Sequence, residues 1–572
     1  MANSMTKHPG IFLIWLILVP NIGLASVTEP TVTMGWTSVL PPLIAVLFAF
    51  ITRKLLLSLI SAIVVGSFLV ALKSEQIVII ETITQTGLYI FNNVTDIWNL
   101  KVLAFVVLIL AMISVVIVAG GLKGIVIYLN RYISSRRSAK LITAISGLIV
   151  FIDDYANTMI VGSSMRPITD TYRISREKLA FIVDATSAPV AGLAIVSTWI
   201  GFEVGLFGDV SQSLNLGQNG YSMFFDAFAF RFYCILMLAF VFINIFMSRD
   251  FGTMLQAEQR AISSGKLLAD DANPQTVSSF QLVNPDENAN IHARTALIPF
   301  VVLFATLIAG LWIGGNGMTY FHQSIFAPFQ LSIWREVISN VESSSTILLI
   351  SAAIGLLATL LSALLIGKIK PKLILSAATI GAKSSLLPIM ILLLAWSLKS
   401  VCDDLNTGKY LVDTLSTHLT PLWFPALIFF IAAVTAFGTG TSWGTMSILI
   451  PITVPIAVQL DGGLYGLVTM ISLGAILDGA IFGDHCSPIS DTTIMSSIAS
   501  NCDHIHHVKT QIPYSLLLAI IALCCGYLPA AAGYSPVLGY VIGALFLVAF
   551  LFIYGKKTSD ITANTQDSEK SI

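Results

Sequence analysis

Charge is what this chain has least of. Across 572 residues only 11% are Asp, Glu, Lys or Arg, while 56% are hydrophobic. A water-soluble globular chain carries about 25% charged residues, so a soluble body is excluded. What charge there is nearly cancels, with 30 Lys and Arg against 31 Asp and Glu and a net charge of −1. There is no basic excess to hold phosphates, so no nucleic-acid partner is expected. Cysteine is scarce too. The six are Cys234, Cys402, Cys486, Cys502, Cys524 and Cys525, mostly inside or beside apolar runs and without framework spacing, which argues for free thiols. His485, Cys486, Cys502, His504, His506 and His507 follow no zinc spacing. Neither a structural metal nor a resident cofactor is expected.

Long apolar runs make up for these absences. They predict an all-α polytopic membrane protein whose first partner is the lipid bilayer, since a span takes about 20 apolar residues. Residues 1–26 resemble an export signal: Lys7 and His8 precede Ile11–Val19, and Gly23-Leu24-Ala25 offers small residues for cleavage. An uncleaved first helix is the alternative. A first transmembrane half is read over 38–248 and a second over 295–555. Between them lies a polar linker, 249–294, and a polar tail follows at 556–572. Basic clusters such as Lys123–Lys140 put the linker and the tail on the cytoplasmic side. The linker reads as a solvated tether without chemistry.

Four of the runs are interrupted. Residues 141–171 have basic flanks at both ends, so a re-entrant hairpin turning near Phe151–Asn157 fits better than a full crossing. Residues 179–207 break at Asp184-Ala185-Thr186-Ser187-Ala188-Pro189. A second hairpin is read over 423–461, around Phe437-Gly438-Thr439-Gly440-Thr441-Ser442-Trp443-Gly444-Thr445. Residues 464–488 run through Asp478 and Asp484 into Ser487-Pro488. The hairpins end at Pro167 and Pro451, and the other breaks centre on Pro189 and Pro488. The fold expected is therefore an inverted repeat with two re-entrant hairpins and two broken helices, and a binding site where the four interruptions meet.

Asp153-Asp154-Tyr155-Ala156-Asn157, the run Met165–Leu179, Gly438-Thr439-Gly440-Thr441-Ser442-Trp443-Gly444, Phe482-Gly483-Asp484-His485-Cys486-Ser487-Pro488 and Cys502-Asp503-His504 together resemble the NhaC-type Na+/H+ antiporter family over roughly residues 40–555. His506 stands where that family more often has Asp. The resemblance implies exchange of Na+, or of Li+ or K+, for H+ by alternating access across a bacterial inner membrane. A homodimer is left open.

An exchanger needs one site that holds a cation or protons, and buried carboxylates with hydroxyls and carbonyls supply it. Asp153 and Asn157, and likewise Asp154 and Thr158, are four apart and share a helix face. Asp184 lies three before Ser187, and Asp484, Ser487 and Asp491 surround Pro488, with Asp478 upstream. Thr439, Thr441 and Ser442 sit in the second hairpin. Na+ is expected at Asp154 and Asp484, with the others supporting. Against this stands capping of broken helix ends or pairing with Arg166 or Lys178. His504, His506 and His507 are expected at the cytoplasmic surface.

Three rivals remain. Exchange of small organic anions, such as carboxylates, would recruit Arg166, Lys178 or Lys399. An intramembrane hydrolase would use His485 and Cys486 or paired aspartates. A passive channel would lack coupling.

Overall fold

The computed structural model describes residues 35–557 except 53, 73–76, 275–284, 287–288, 408–409, 411–413 and 415–418. The signal-like segment 1–26 and all but the first two residues of the tail lie outside them.

The chain is helical nearly throughout, because without water only a helix satisfies its own backbone. Among the described residues eight helices are long and apolar enough to cross a membrane: Ile97–Val118, Arg294–Gly314, Ser344–Leu365, Pro371–Asp404, Ser442–Leu460, Leu467–Cys486, His504–Ala531 and Pro536–Ile553. The pair Gly220–Phe228 and Phe232–Met247, bent by 49°, makes a ninth. Large apolar side chains such as Val301, Leu365, Phe552 and Ile553 lie on the outside. With lipid as the solvent, that is their favoured place.

Ten helices build the polar interior: α1 (Arg136–Ile149), α2 (Asp154–Thr171), α3 (Arg176–Ala185), α4 (Thr198–Ser213), α5 (Phe232–Met247), α6 (Phe424–Thr439), α7 (Ser442–Leu460), α8 (Leu467–Cys486), α9 (Asp491–Ser500) and α10 (His504–Ile521). The chain breaks between α1 and α2 at 150–153, after α3 at 186–187, between α6 and α7 at Gly440 and Thr441, and between α8 and α9 at 487–490. A short helix Ala188–Ala191 carries Pro189 in its first turn. A helix that restarts in an apolar interior exposes unsatisfied N–H groups, and the sequence caps them. Asp153 accepts from Ala156 N, Ser197 from Ile200 N, Thr441 from Gly444 N, Ser490 from Thr493 N and Asp503 from His506 N.

Side chains also join the breaks to one another. Asn157 Nδ2 donates to Gly147 O at 2.7 Å and to Thr186 O at 2.8 Å, binding α2 to α1 and to the end of α3. Ser487 Oγ donates to Phe437 O at 2.7 Å, binding the α8 break to α6. Gly440 has φ +69, and a Cβ there would meet Ile489 O at 2.5 Å. Only glycine allows both this turn and this approach.

Several expectations are corrected. Pro167 and Pro451 do not end their hairpins; each stays inside a continuous helix. A separate helix, Val78–Thr95, precedes the span that starts at Ile97. The linker is not a bare tether, because it contains helix Gly252–Ser264, which buries Met254, Ala257 and Ala261. Its Glu258 is fully buried between Arg136 (2.6 Å) and Lys140 (3.4 Å) and accepts from Ser175 Oγ. These cations neutralise a charge that would otherwise keep the helix in water. Arg249–Asp250 and Lys556–Lys557 pair as a two-residue antiparallel ladder.

Candidate functional site

Asp154 is the first residue of α2. It is buried, and neither of its carboxylate oxygens has a hydrogen-bond partner among the described residues. The Trp199 indole stands beside it, but its N–H is not aligned for a bond. Asp153 is more fully engaged: one oxygen caps Ala156 N at 2.8 Å, and the other accepts from Thr198 Oγ1 at 3.2 Å. Asp491, first residue of α9, accepts from the Tyr155 hydroxyl. It lies within electrostatic range of both Asp154 and Asp484. Asp484 accepts from Thr492 Oγ1 at 3.0 Å through one oxygen and leaves the other without a partner. The break between α1 and α2 and the break between α8 and α9 therefore bring Asp153, Asp154, Asp484 and Asp491 into one acidic group.

Three of these acids, Asp153, Asp154 and Asp491, line a cavity of about 1080 Å³ with Tyr155, Thr198, Thr441 and Trp443. Asp484 stands behind it. Trp443 packs on Phe202 at 4.4 Å and on Trp199 at 6.0 Å between ring centroids, which gives the cavity an aromatic wall. Arg166 and Lys123 also line it.

The hydroxyl candidates turn to the backbone. Thr158 donates to Asp154 O at 2.8 Å, Ser187 to Asp184 O at 3.0 Å, Thr439 to Thr435 O at 2.9 Å and Ser442 to Ala480 O at 3.2 Å. Asn157 is held by its two carbonyls, as described above. Of these hydroxyl candidates, Thr441 is the one that lines the cavity among the described residues.

Two candidates fall elsewhere. Asp478 is fully buried on Arg231 Nε at 2.9 Å and accepts from Tyr233 N at 2.6 Å and Tyr527 Oη at 2.7 Å. Arg231 Nη1 also lies 3.8 Å from Glu203. Asp184 accepts from Ser496 Oγ (2.9 Å), Thr493 Oγ1 (3.2 Å) and Gln511 Nε2 (2.6 Å), and His507 Nε2 approaches at 3.4 Å. The expectation that the three histidines of α10 all sit at the surface is therefore corrected. His507 is fully buried and His504 half-buried, because the start of α10 packs against α3 and α9 instead of emerging into water. Sequence reasoning missed Arg231, Tyr155, Trp199 and Thr492. Arg231 had a signal, an arginine at the head of the apolar run Phe230–Met247; the others look like ordinary interior residues.

Of the cations proposed for an anion, Lys178 is taken by Asp250 at 2.7 Å. Lys399 is shared between Asp403 at 3.1 Å and Asp209 at 3.4 Å. The Arg166 side chain has no ion-pair partner among the described residues and faces the cavity.

Apolar helices around an acid-lined cavity at helix breaks define a multi-pass membrane transporter. The chain belongs to the Na+/H+ antiporter family, whose profile matches residues 190–528; it is a secondary antiporter and not an enzyme. An uncharacterised protein of Haemophilus influenzae is 28% identical over 526 residues, covering 91% of this chain and 95% of that protein. The malate-2H+/Na+-lactate antiporter of Bacillus subtilis is 32% identical over 131 residues, 23% of this chain and 22% of its own length. In fold the chain is similar to the Alcanivorax borkumensis YdaH transporter, with TM-score 0.55 and 14% identity over 87% of this chain and 99% of that one.

Proposed function

We propose that this antiporter exchanges Na+ for H+ at Asp154, with Asp491 and Asp484 as flanking acids and Asp153 and Thr441 lining the same cavity. One observation carries the reading: Asp154 is buried at a helix break, faces the cavity and has no partner for either carboxylate oxygen among the described residues. Neighbouring buried carboxylates need a compensating positive charge. A Na+ ion supplies it through hard oxygen ligands, and protons supply it covalently. Each displaces the other, which is the coupling that exchange needs. Alternating access would then present the site to the two sides in turn, with the hairpins 141–171 and 423–461 entering from opposite faces. Cysteine labelling near Phe151 and Gly440 from each side would reveal equal access if that orientation is wrong. We place the chain in a bacterial inner membrane with its tail in the cytoplasm, so a phosphatase fused after Lys557 should be inactive.

The test is a Na+ jump on proteoliposomes holding a pH dye. Wild type should acidify or alkalinise the lumen according to the gradient, and Asp154→Asn should not. A variant that exchanges at the wild-type rate would refute the assignment.

A second reading has its own support. A bare cation does not need about 1080 Å³, and Arg166 faces that space without an ion-pair partner among the described residues. In this reading a small carboxylate pairs with Arg166 while Na+ or H+ sits on Asp154. The malate and lactate named for the Bacillus subtilis relative are such carboxylates. Arg166→Gln would then abolish a dye response that depends on an added organic acid. If Na+ alone drives wild-type exchange and no acid changes it, this second reading fails.

A further inference from the structure

Behind the cavity lies a second polar group that the exchange site does not use. None of Asp184, His485, His504, His507 or Gln511 lines the cavity. His504, His507, Gln511 and Ser515 are spaced three, four and four apart, so they form one face of α10. His504 is half-buried at the start of the helix, where neighbouring residues meet the linker: Asn273 N donates to Asp503 at 2.9 Å, and His506 lies 3.5 Å from Asp271. His507, Gln511 and Ser515 are fully buried. The polar face thus runs from the linker end of α10 into the interior.

The inner end of this face is rich in polar atoms without partners among the described residues: His507 Nδ1, Gln511 Oε1, Ser515 Oγ and His485 Nε2. Leaving such an atom buried and unpaired is costly. Four on neighbouring side chains mark a place where a ligand or water is expected. The groups that titrate or carry charge around His507 are Asp184 from α3, His485 and Cys486 from α8, Tyr233 from α5, and His504 on its own helix. The α9 helix contributes only the hydroxyls Thr493, Ser496 and Ser497 there, and the linker helix meets α10 further along, at Lys509 and Pro513.

The chemistry of this group suits a proton better than a metal ion. Asp184 already accepts from three donors on its two oxygens, so a cation would have to compete with them. Two of the four partnerless atoms are imidazole nitrogens, poor ligands for a hard alkali ion. Imidazole binds a proton near neutral pH, and His507 Nε2 stands 3.4 Å from a carboxylate that would balance the added charge. The group also touches the exchange site: Thr493 Oγ1 lies 3.2 Å from both Asp184 Oδ2 and Asp484 O.

We propose that His507, with Asp184 as its counter-ion, is a proton-binding site separate from the cation cavity, reached along the His504–His507–Gln511–Ser515 face of α10. A proton from water adds to an imidazole nitrogen, the pair becomes net neutral, and on release the proton returns to water. The proposal deepens the exchange reading and rests on it for the proton's role in transport.

Two readouts test it on the full-length protein. Infrared difference spectra between about pH 5 and pH 8 should show an imidazole protonation band in wild type that His507→Gln removes. In proteoliposomes, the same variant should shift the pH midpoint of Na+-driven proton flux by about one unit and change the KM for Na+ by less than about twofold. Unchanged bands, or a KM for Na+ raised as far as in an Asp153 variant, would overturn the proposal. If His507→Gln does not fold, His504→Gln at the half-buried entrance decides: it should slow proton flux at unchanged KM, and wild-type flux would overturn the proposal. Loss of the band in a protein that moves no Na+ would support the proton site while removing the Na+ reading.

Discussion

Asp478 and Asp154 are both buried aspartates on interior helices, and the protein treats them in opposite ways. Asp478 has an arginine at 2.9 Å, a backbone N–H and a tyrosine hydroxyl. The Asp154 carboxylate has no hydrogen-bond partner among the described residues. A partnered buried acid is an anchor, because its charge is balanced once and permanently. A partnerless acid at a cavity is balanced only by something that comes and goes. Asp184 lies between the two, with donors on both oxygens and a histidine alongside.

The comparison breaks most sharply at Arg231. Arg231→Ala leaves Asp478 and Glu203 buried without their cation, and losing one partner of a buried pair costs about 3–5 kcal/mol. Little folded protein is expected, and yield with melting temperature in detergent would show it. Melting like wild type would mean that Asp478 is not an anchor. Asp154→Asn should do the reverse. Exchange should fall by about 100-fold or more, as expected for loss of an essential proton carrier, while the melting temperature stays level or rises because a partnerless charge has gone. A clear drop in melting would give Asp154 a structural role after all.

Smaller effects sharpen the picture of how the breaks are held. Asn157→Ala frees two buried carbonyls and should cost about 1–3 kcal/mol, read as an earlier melt with exchange slowed but present. Gly440→Ala forces a Cβ against Ile489 O in a left-handed turn, at about 1–2 kcal/mol. It should lower the rate of exchange more than it lowers stability if that turn moves during transport. At the small end, Lys266→Ala removes an exposed pair with Asp270 and should leave both melting and exchange unchanged, as isolated surface pairs contribute little.

The positions of the breaks were legible in the sequence because membrane helices announce their interruptions. Asp, Pro, Ser and Gly inside apolar runs have few other uses, so the stretch Phe151–Asn157, Pro189, Gly440 and Pro488 stood out, though in the first of these the helix already restarts at Asp154. Proline alone misled: Pro167 and Pro451 sit within helices, since neighbouring helices can absorb a local lost hydrogen bond. The linker helix was hidden because Glu258 looks like a solvated residue until Arg136 and Lys140 are seen around it. Which acids belong together was not legible either. Asp478 and Asp484 are six residues apart on one helix, yet one faces Arg231 and the other the Asp491 group.

Composition and the pattern of apolar runs determined that this is a polytopic helical membrane protein with interrupted helices, since the bilayer's demand for internal backbone bonding is read directly from local sequence. Only the tertiary structure decided which interruptions touch, which aspartates are balanced by arginine or lysine, and that His507 is buried beside Asp184. Charge compensation acts between residues hundreds of positions apart, and no local pattern records it.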